Sequence, residues 1–352
     1  MLKRIIDLIL VACGICLVYA ALAPASGAGV ITDGFAREKP KQVKGIVSLC
    51  KPVPFIILGL DAGDKRLIGI NAQTQLSMKS NVLSKYFPNT QKISGNVCDN
   101  AFKPNIEELI RLRPGLIVDW KMFAEDLAQM QSFGFHVLGL EYDGSERCDR
   151  DMVKKLAFEM GREDRVDSLM RLRDKTLRGL HAVTDVIPLN NRPRVLYIYS
   201  YENMTIEGEK SFEHFSMELA GGRDMGTGLG LQRSINIEQI LVWNPDIILL
   251  NGWRSNTTPD DLYQNPILQG LSAVKKRQVI KMPVWSGNES PLSWAWLADI
   301  VQPEYFHFNI REELRQSYKW QYGIDLTDAD IDQVLFCKDN AVSSLYKHMS
   351  SN

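Results

Sequence analysis

The side chains best suited to chemistry in this sequence are aromatic and basic, and they gather where predicted strands end. In the first half they are Lys51, Lys103, Trp120 and Lys121, with Cys50 and Tyr142 nearby. In the second half they are Tyr199, Tyr201, Arg233, Trp253, Arg254, Trp285 and Glu289. Large rings give broad apolar walls, and Arg gives paired donors for a carboxylate or an oxyanion. This combination points to capture of an anionic ligand, such as a ferric chelate, a haem propionate or a tetrahedral oxyanion. Arg233 and the pair Trp253-Arg254 lead the set. Lys51 and Lys121 read equally well as solvated surface charges, and Trp296 reads as core.

Reactive chemistry has little support. Neither Gly-x-Ser-x-Gly nor His-Glu-x-x-His occurs, so an exported enzyme is the weaker reading. The five histidines, His136, His181, His214, His307 and His348, include no close pair at ligand spacing, and neither a bare metal nor a cofactor is expected. His136 lies in an apolar strand pattern and is expected in the core. The segment from Asp328 to Asp332 starts like a calcium loop but has Gln333 where the loop needs glycine. The run Gly226-Thr227-Gly228-Leu229-Gly230 lacks dinucleotide-binding spacing and reads as a loop.

Composition narrows the classes further. The chain has 352 residues, 45% apolar and 24% charged, with 41 Lys plus Arg against 42 Asp plus Glu. That balance excludes a nucleic-acid binder working through bulk positive charge, and it excludes a disordered chain. Lys3 and Arg4 precede an apolar run to Ala23, and small residues follow through Ala28. This pattern predicts an export signal over 1–28 and a periplasmic protein. Lipidation at Cys13 is the alternative, as is a single membrane anchor. Export would leave Cys50, Cys98, Cys148 and Cys337 in an oxidising compartment, with three full pairings open.

The elements that must position these residues alternate. Strands are predicted at 43–49, 67–70, 116–118, 136–140, 194–199 and 247–250. Helices are predicted at 55–60, 105–113, 124–133, 213–219 and 236–243. The order implies an α/β fold with mostly parallel sheets. Residues 105–118 align with 236–249 at an offset of 131, with five of fourteen positions identical, including the Asn-Ile-Glu opening and the proline. One helix–Pro–strand unit is therefore used once in each of two lobes. Between them, 145–190 is helical apart from Gly161. A connector of ~25 residues would run roughly 37 Å, and its stiffness predicts a cleft that closes only slightly.

This pattern resembles the substrate-binding proteins of ABC importers for iron complexes and vitamin B12, the helix-linked class. The likeness covers roughly 43–306. It rests on Ile46-Val47-Ser48-Leu49, on the stretch from Leu60 to Gly69, on the repeated unit, on Arg192–Tyr197 and on Glu218-Leu219-Ala220-Gly221-Gly222. Asn265-Pro266-Ile267-Leu268 and Trp296-Leu297-Ala298 with Gln302-Pro303 complete it. The tail over 318–335 resembles a subgroup that includes molybdate and tungstate binders.

The resemblance implies two Rossmann-like lobes, an N-terminal one at 43–144 and a C-terminal one at 191–306. A long helix at 145–190 would join them, with a helical extension at 307–352 and a ligand cleft between the lobes. It implies a monomer that captures a ferric siderophore-like chelate, or else molybdate, tungstate, cobalamin or haem. Its partner would be a membrane permease with its ATPase, and not nucleic acid. It also implies that Glu107 and Glu238, early in each repeated helix, dock on arginines of that permease. The sequence alone adds that two carboxylates hold the same place in two copies of one unit. Both would also favour their helix N-terminal dipoles.

Overall fold

The computed structural model describes residues 43–346, apart from 100, 254, 255 and 286. The predicted export segment and its Cys13 lie outside the described residues, as does Arg254. No helix among the described residues is long and apolar enough to cross a membrane.

The first sheet is built from β1 (Ile46–Ser48), β2 (Leu67–Ile70), β3 (Leu116–Trp120) and β4 (Val137–Leu140), in the order β2-β1-β3-β4 and wholly parallel. Its helices are α1 (Val53–Asp61), α2 (Ala72–Ser80), α3 (Leu83–Tyr86), α4 (Ile106–Leu112) and α5 (Ala124–Ser132). Two helices follow, α6 (Glu146–Met160) and α7 (Glu163–Thr184), broken at Gly161, whose φ of 64° closes the first. The second sheet contains β5 (Arg194–Ser200), β6 (Thr205–Glu207), β7 (Arg223–Asp224), β8 (Gln232–Ser234), β9 (Ile247–Leu250) and β10 (Val279–Lys281). Its order is β10-β9-β5-β6-β8, with β7 parallel beside β5. Helices α8 (Phe212–Leu219), α9 (Ile237–Trp243), α10 (Pro259–Gln264) and α11 (Ser272–Lys275) accompany it. The last helices among the described residues are α12 (Ser290–Val301), α13 (Ile310–Tyr322), α14 (Asp328–Val334) and α15 (Cys337–Asn340).

The repeated unit is structural as well as sequential. Asn105 caps α4 by accepting from Glu108 N–H, and Asn236 caps α9 by accepting from Gln239 N–H. Each helix has seven residues and ends on a left-handed residue, Arg113 (φ 50°) and Asn244 (φ 44°). Each leads to a parallel strand, β3 beside β1 and β9 beside β5. The second sheet departs from the first where β6 and β8 add antiparallel strands.

The outer face of each sheet has its own small apolar cluster, one around Val47, Leu109 and Ile117, the other around Leu196, Ile240 and Ile248. A large third cluster joins the lobes: it includes α1, α7, α12 and α13 together with Val118 and Tyr197. Inside it Arg173 of α7 is fully buried. Its guanidinium meets Asp149 at 2.9 Å and Glu146 at 3.2 Å, donates to Gly287 O at 2.9 Å and lies over the Trp294 ring.

Two expectations change. His136 is exposed at the start of β4, with Nε2 3.6 Å from Glu159 Oε2, because the strand begins one residue later and His136 precedes its buried part. The four cysteines within the described residues are unpaired. Cys50 and Cys98 are buried in different apolar clusters.

Candidate functional site

Parallel strands leave a crevice beyond their carboxyl ends, where successive loops diverge. Here both sheets contribute to one such crevice. Lys51 follows β1, Trp120 ends β3 and Tyr142 follows β4. Tyr199 lies near the end of β5, Asn251 and Trp253 follow β9, and Trp285 follows β10. These residues enclose a cavity of about 370 Å³. Helix α2 adds Gln73, Thr74 and Ser77 to its wall, and the loop before α4 adds Phe102.

The two lips touch. Lys51 Nζ donates to Tyr199 Oη at 3.0 Å and lies over the Phe102 and Tyr199 rings at 5.4 and 5.7 Å. Ser77 Oγ donates to Trp253 O at 2.6 Å. Phe212 N–H donates to Tyr142 Oη at 3.1 Å. Aromatic pairs stiffen the walls: Trp120 with Tyr142 at 5.6 Å, Phe55 with Trp253 at 5.1 Å, and Trp285 with Trp296 at 6.0 Å. Met122 and Leu231 also line the cavity yet are 58% and 40% exposed, which makes them an apolar rim that an amphipathic ligand could cover.

Five of the expected residues therefore meet: Lys51, Trp120, Tyr199, Trp253 and Trp285. Five others do not line this cavity. Lys103 is exposed in the loop before α4. Lys121 is exposed and pairs with Glu141 at 2.7 Å. Tyr201 lies past the end of β5, accepts from Asn265 Nδ2 at 2.6 Å and packs against the outer cluster. Arg233 is exposed on β8; side chains alternate along a strand, so its neighbour Gln232 faces the cavity and Arg233 does not. Glu289 is buried behind the wall beside Tyr318.

Among the described residues the ionisable lining is mostly acidic, where basic groups were expected. No arginine among the described residues lines the cavity, and three carboxylates do: Asp149, Glu207 and Glu213. Asp149 is neutralised by Arg173. Glu207, at the end of β6, accepts from Gln232 Nε2 at 3.0 Å. Burial, and then the charge of Glu213, push its carboxyl up to about 8, while Lys51 pulls the other way. Burial also raises Glu213, in the first turn of α8. The same two carboxylates add to the burial that holds the Tyr142 and Tyr197 phenols well above their ordinary range. Glu207 and Glu213 carried no sequence cue: one sits in a three-residue strand, the other reads as a helix-start acid.

Comparison with known proteins supports the architecture. Residues 77–284 match a family profile described as "Periplasmic binding protein". The iron(3+)-hydroxamate-binding protein FhuD of Bacillus subtilis (strain 168) is 21% identical over 207 residues, which are 54% of this chain and 62% of that protein. The match thus spans about three fifths of that relative's length. A periplasmic solute binding protein from Veillonella parvula DSM 2008 superposes with a TM-score of 0.77 at 24% identity, covering 86% of this chain and 94% of its own. The molybdate periplasmic binding protein MolA of Haemophilus influenzae superposes with a TM-score of 0.72 at 18% identity, covering 82% and 95%. At these identities the superpositions show the fold: two α/β lobes with mostly parallel sheets.

Proposed function

Because the chain belongs to the family of periplasmic binding proteins, we propose that it is the solute-binding component of an ABC importer, carrying a ferric siderophore-like chelate to a membrane permease. The observation that carries this reading is the aromatic cavity between two repeated lobes, at the carboxyl ends of both sheets. Capture needs no bond-making: rings cover the ligand, a few polar groups orient it, and the docked protein releases it.

The lining favours a chelate over a tetrahedral oxyanion. The cavity of about 370 Å³ is several times what such an anion fills, and most of its exposed wall is apolar. An oxyanion also needs converging donors, and among the described residues the lining offers one cationic side chain, Lys51, against two carboxyls that no described cation pairs with. The hydroxamate-binding relative agrees with this choice. The full-length protein, titrated with a ferric trihydroxamate, should show quenching of Trp120, Trp253 and Trp285 fluorescence. Quenching by molybdate and not by the chelate would replace the cargo.

Delivery is proposed to use Glu107 and Glu238. Both are exposed at the second position of their helices, and exposed Ile110 and Val242 lie one turn along. A carboxylate beside an apolar side chain suits a cationic, partly apolar rim, where charge chiefly sets orientation and encounter rate. Glu107→Ala together with Glu238→Ala should abolish uptake of the labelled chelate in cells while its affinity in solution stays the same. Lost affinity would remove the docking role. Periplasmic export belongs to the same proposal; N-terminal sequencing of protein recovered from the periplasm tests cleavage within 1–28.

A further inference from the structure

Resting on the chelate reading above, we infer that Glu207 and Glu213 form a carboxylate pole that receives a cationic group of the ligand, so that the preferred cargo is a neutral or positively charged chelate with a free ammonium or amidinium.

The pole is built rigidly. Glu207 lies on β6, whose pairing with β8 sets Glu207 opposite Gln232, and Gln232 Nε2 holds one carboxylate oxygen at 3.0 Å. The backbone behind it tolerates no side chain. A Cβ on Gly208 would come within 2.3 Å of Gly230 O, and one on Gly226 within 2.2 Å of Glu207 O. Glu213 reaches the same cavity from the first turn of α8, anchored by Ser211, which accepts from His214 N–H. Two carboxyls from separate elements thus face one aromatic chamber.

A second observation points to a ligand that brings polar groups. Thr74 is 1% exposed and lines the cavity, yet its Oγ1 has no hydrogen-bond partner. The Oε1 of its neighbour Gln73, also lining, has none either. Buried polar atoms are almost always paired, so two orphans on residues of the cavity wall mark a place where an occupant would complete the bonds. Lys51 Nζ already donates to Tyr199, and Asp149 is satisfied by Arg173. Among the described residues the chamber therefore holds more carboxyls than cationic side chains, and an incoming cation would bring the raised carboxyls of Glu207 and Glu213 to their ionised form.

Filling such a chamber strips water from the carboxyls. That loss is offset best by a cation, which ionises the carboxyls and pairs with them. A ferric tricatecholate carries three negative charges and a molybdate two, and neither finds a counter-charge in these carboxyls. A ferric trihydroxamate is neutral at the metal, and a pendant ammonium gives it the complementary pole.

The test compares two chelates on the full-length protein by tryptophan fluorescence: a ferric trihydroxamate with one free terminal ammonium, and the same chelate acetylated at that nitrogen. Charged hydrogen bonds of this kind predict roughly 10- to 100-fold tighter binding of the ammonium form. In Glu207→Gln and Glu213→Gln that preference should fall to about twofold or less. Equal affinity of the unmutated protein for both chelates overturns the carboxylate pole and leaves chelate capture standing. Tighter binding of the acetylated form or of a ferric tricatecholate overturns it as well. Binding of neither trihydroxamate overturns the cargo and the pole together.

Discussion

Single residues set the chemistry of the cleft wall and the pH dependence expected of the protein. Asp119, inside β3, is fully buried; its Oδ1 accepts from Trp120 N–H and its Oδ2 has no partner. Burial pushes the carboxyl up to about 7, and burial does the same for Asp299. In the unfolded chain such carboxyls ionise near 4, while the folded protein keeps their protons until about 7. Between those values the folded state holds more protons, so these groups lower stability as pH rises through the window. Melting temperature should therefore drop by several degrees between pH 5 and pH 8, and Asp119→Asn should remove part of that slope. A profile unchanged by the substitution would show that Asp119 ionises normally. The cysteines give a simpler prediction: Cys50, Cys98, Cys148 and Cys337 should all react with a thiol reagent in denaturant without prior reduction. At the cavity, sequence reading found the rings, because tryptophan at a strand end is conspicuous. It missed the carboxyls, because Glu207 and Glu213 look like ordinary polar positions until the sheet and α8 bring them together.

At the scale of elements, the repeated unit was legible in detail. An asparagine cap, an amphipathic turn and a proline are local instructions, and α4 with β3 and α9 with β9 carry them out at the same offset. Asn105→Ala and Asn236→Ala should each cost ~1 kcal/mol in denaturant unfolding, with similar values for the two copies. The connector was legible too, including its break at Gly161. Its interior charge was not. Arg173 ties α7 to α6 and to the loop at Gly287, and replacing it with Met would leave Asp149 and Glu146 without their buried partner. A loss of ~3–5 kcal/mol is expected. A loss below ~1 kcal/mol would mean that water reaches those carboxylates. The antiparallel strands β6 and β8 could not be read: each has three residues, and β8 is exposed throughout, so neither shows a period.

The whole molecule is two sheets around one shared interior. The C-terminal helices make this so. Asp330 meets Lys85 Nζ at 2.9 Å and accepts from Tyr86 Oη at 2.7 Å, on the first lobe, and Trp320 O accepts from Arg165 of the connecting α7 at 2.6 Å. Farther along, Asn340 accepts from Lys281 N–H at 2.7 Å and Asp339 pairs with Lys281 Nζ at 3.0 Å, on the second. The tail thus straps both lobes, beyond what a simple extension after 306 would do. With α7, α12 and the tail all crossing, the cleft has little freedom. Ligand binding should change the radius of gyration by less than about 1 Å in solution scattering. A larger contraction would mean that the shared core slides.

By itself the sequence determined the alternation of strands and helices, the duplication, the helical connector and the crevice-end aromatics. All of these follow from periodicities and caps that act within a few residues. Only the tertiary structure brought Glu207 and Glu213 to the cavity. Which face of β8 looks inward, and where the first turn of α8 delivers its carboxyl, depend on pairings between segments some 25 residues apart or more, as Gln232 with Glu207 shows. At Arg233 the expectation of an arginine-lined site gave way, since alternation along one short strand turned Gln232 toward the cavity and left Arg233 in solvent.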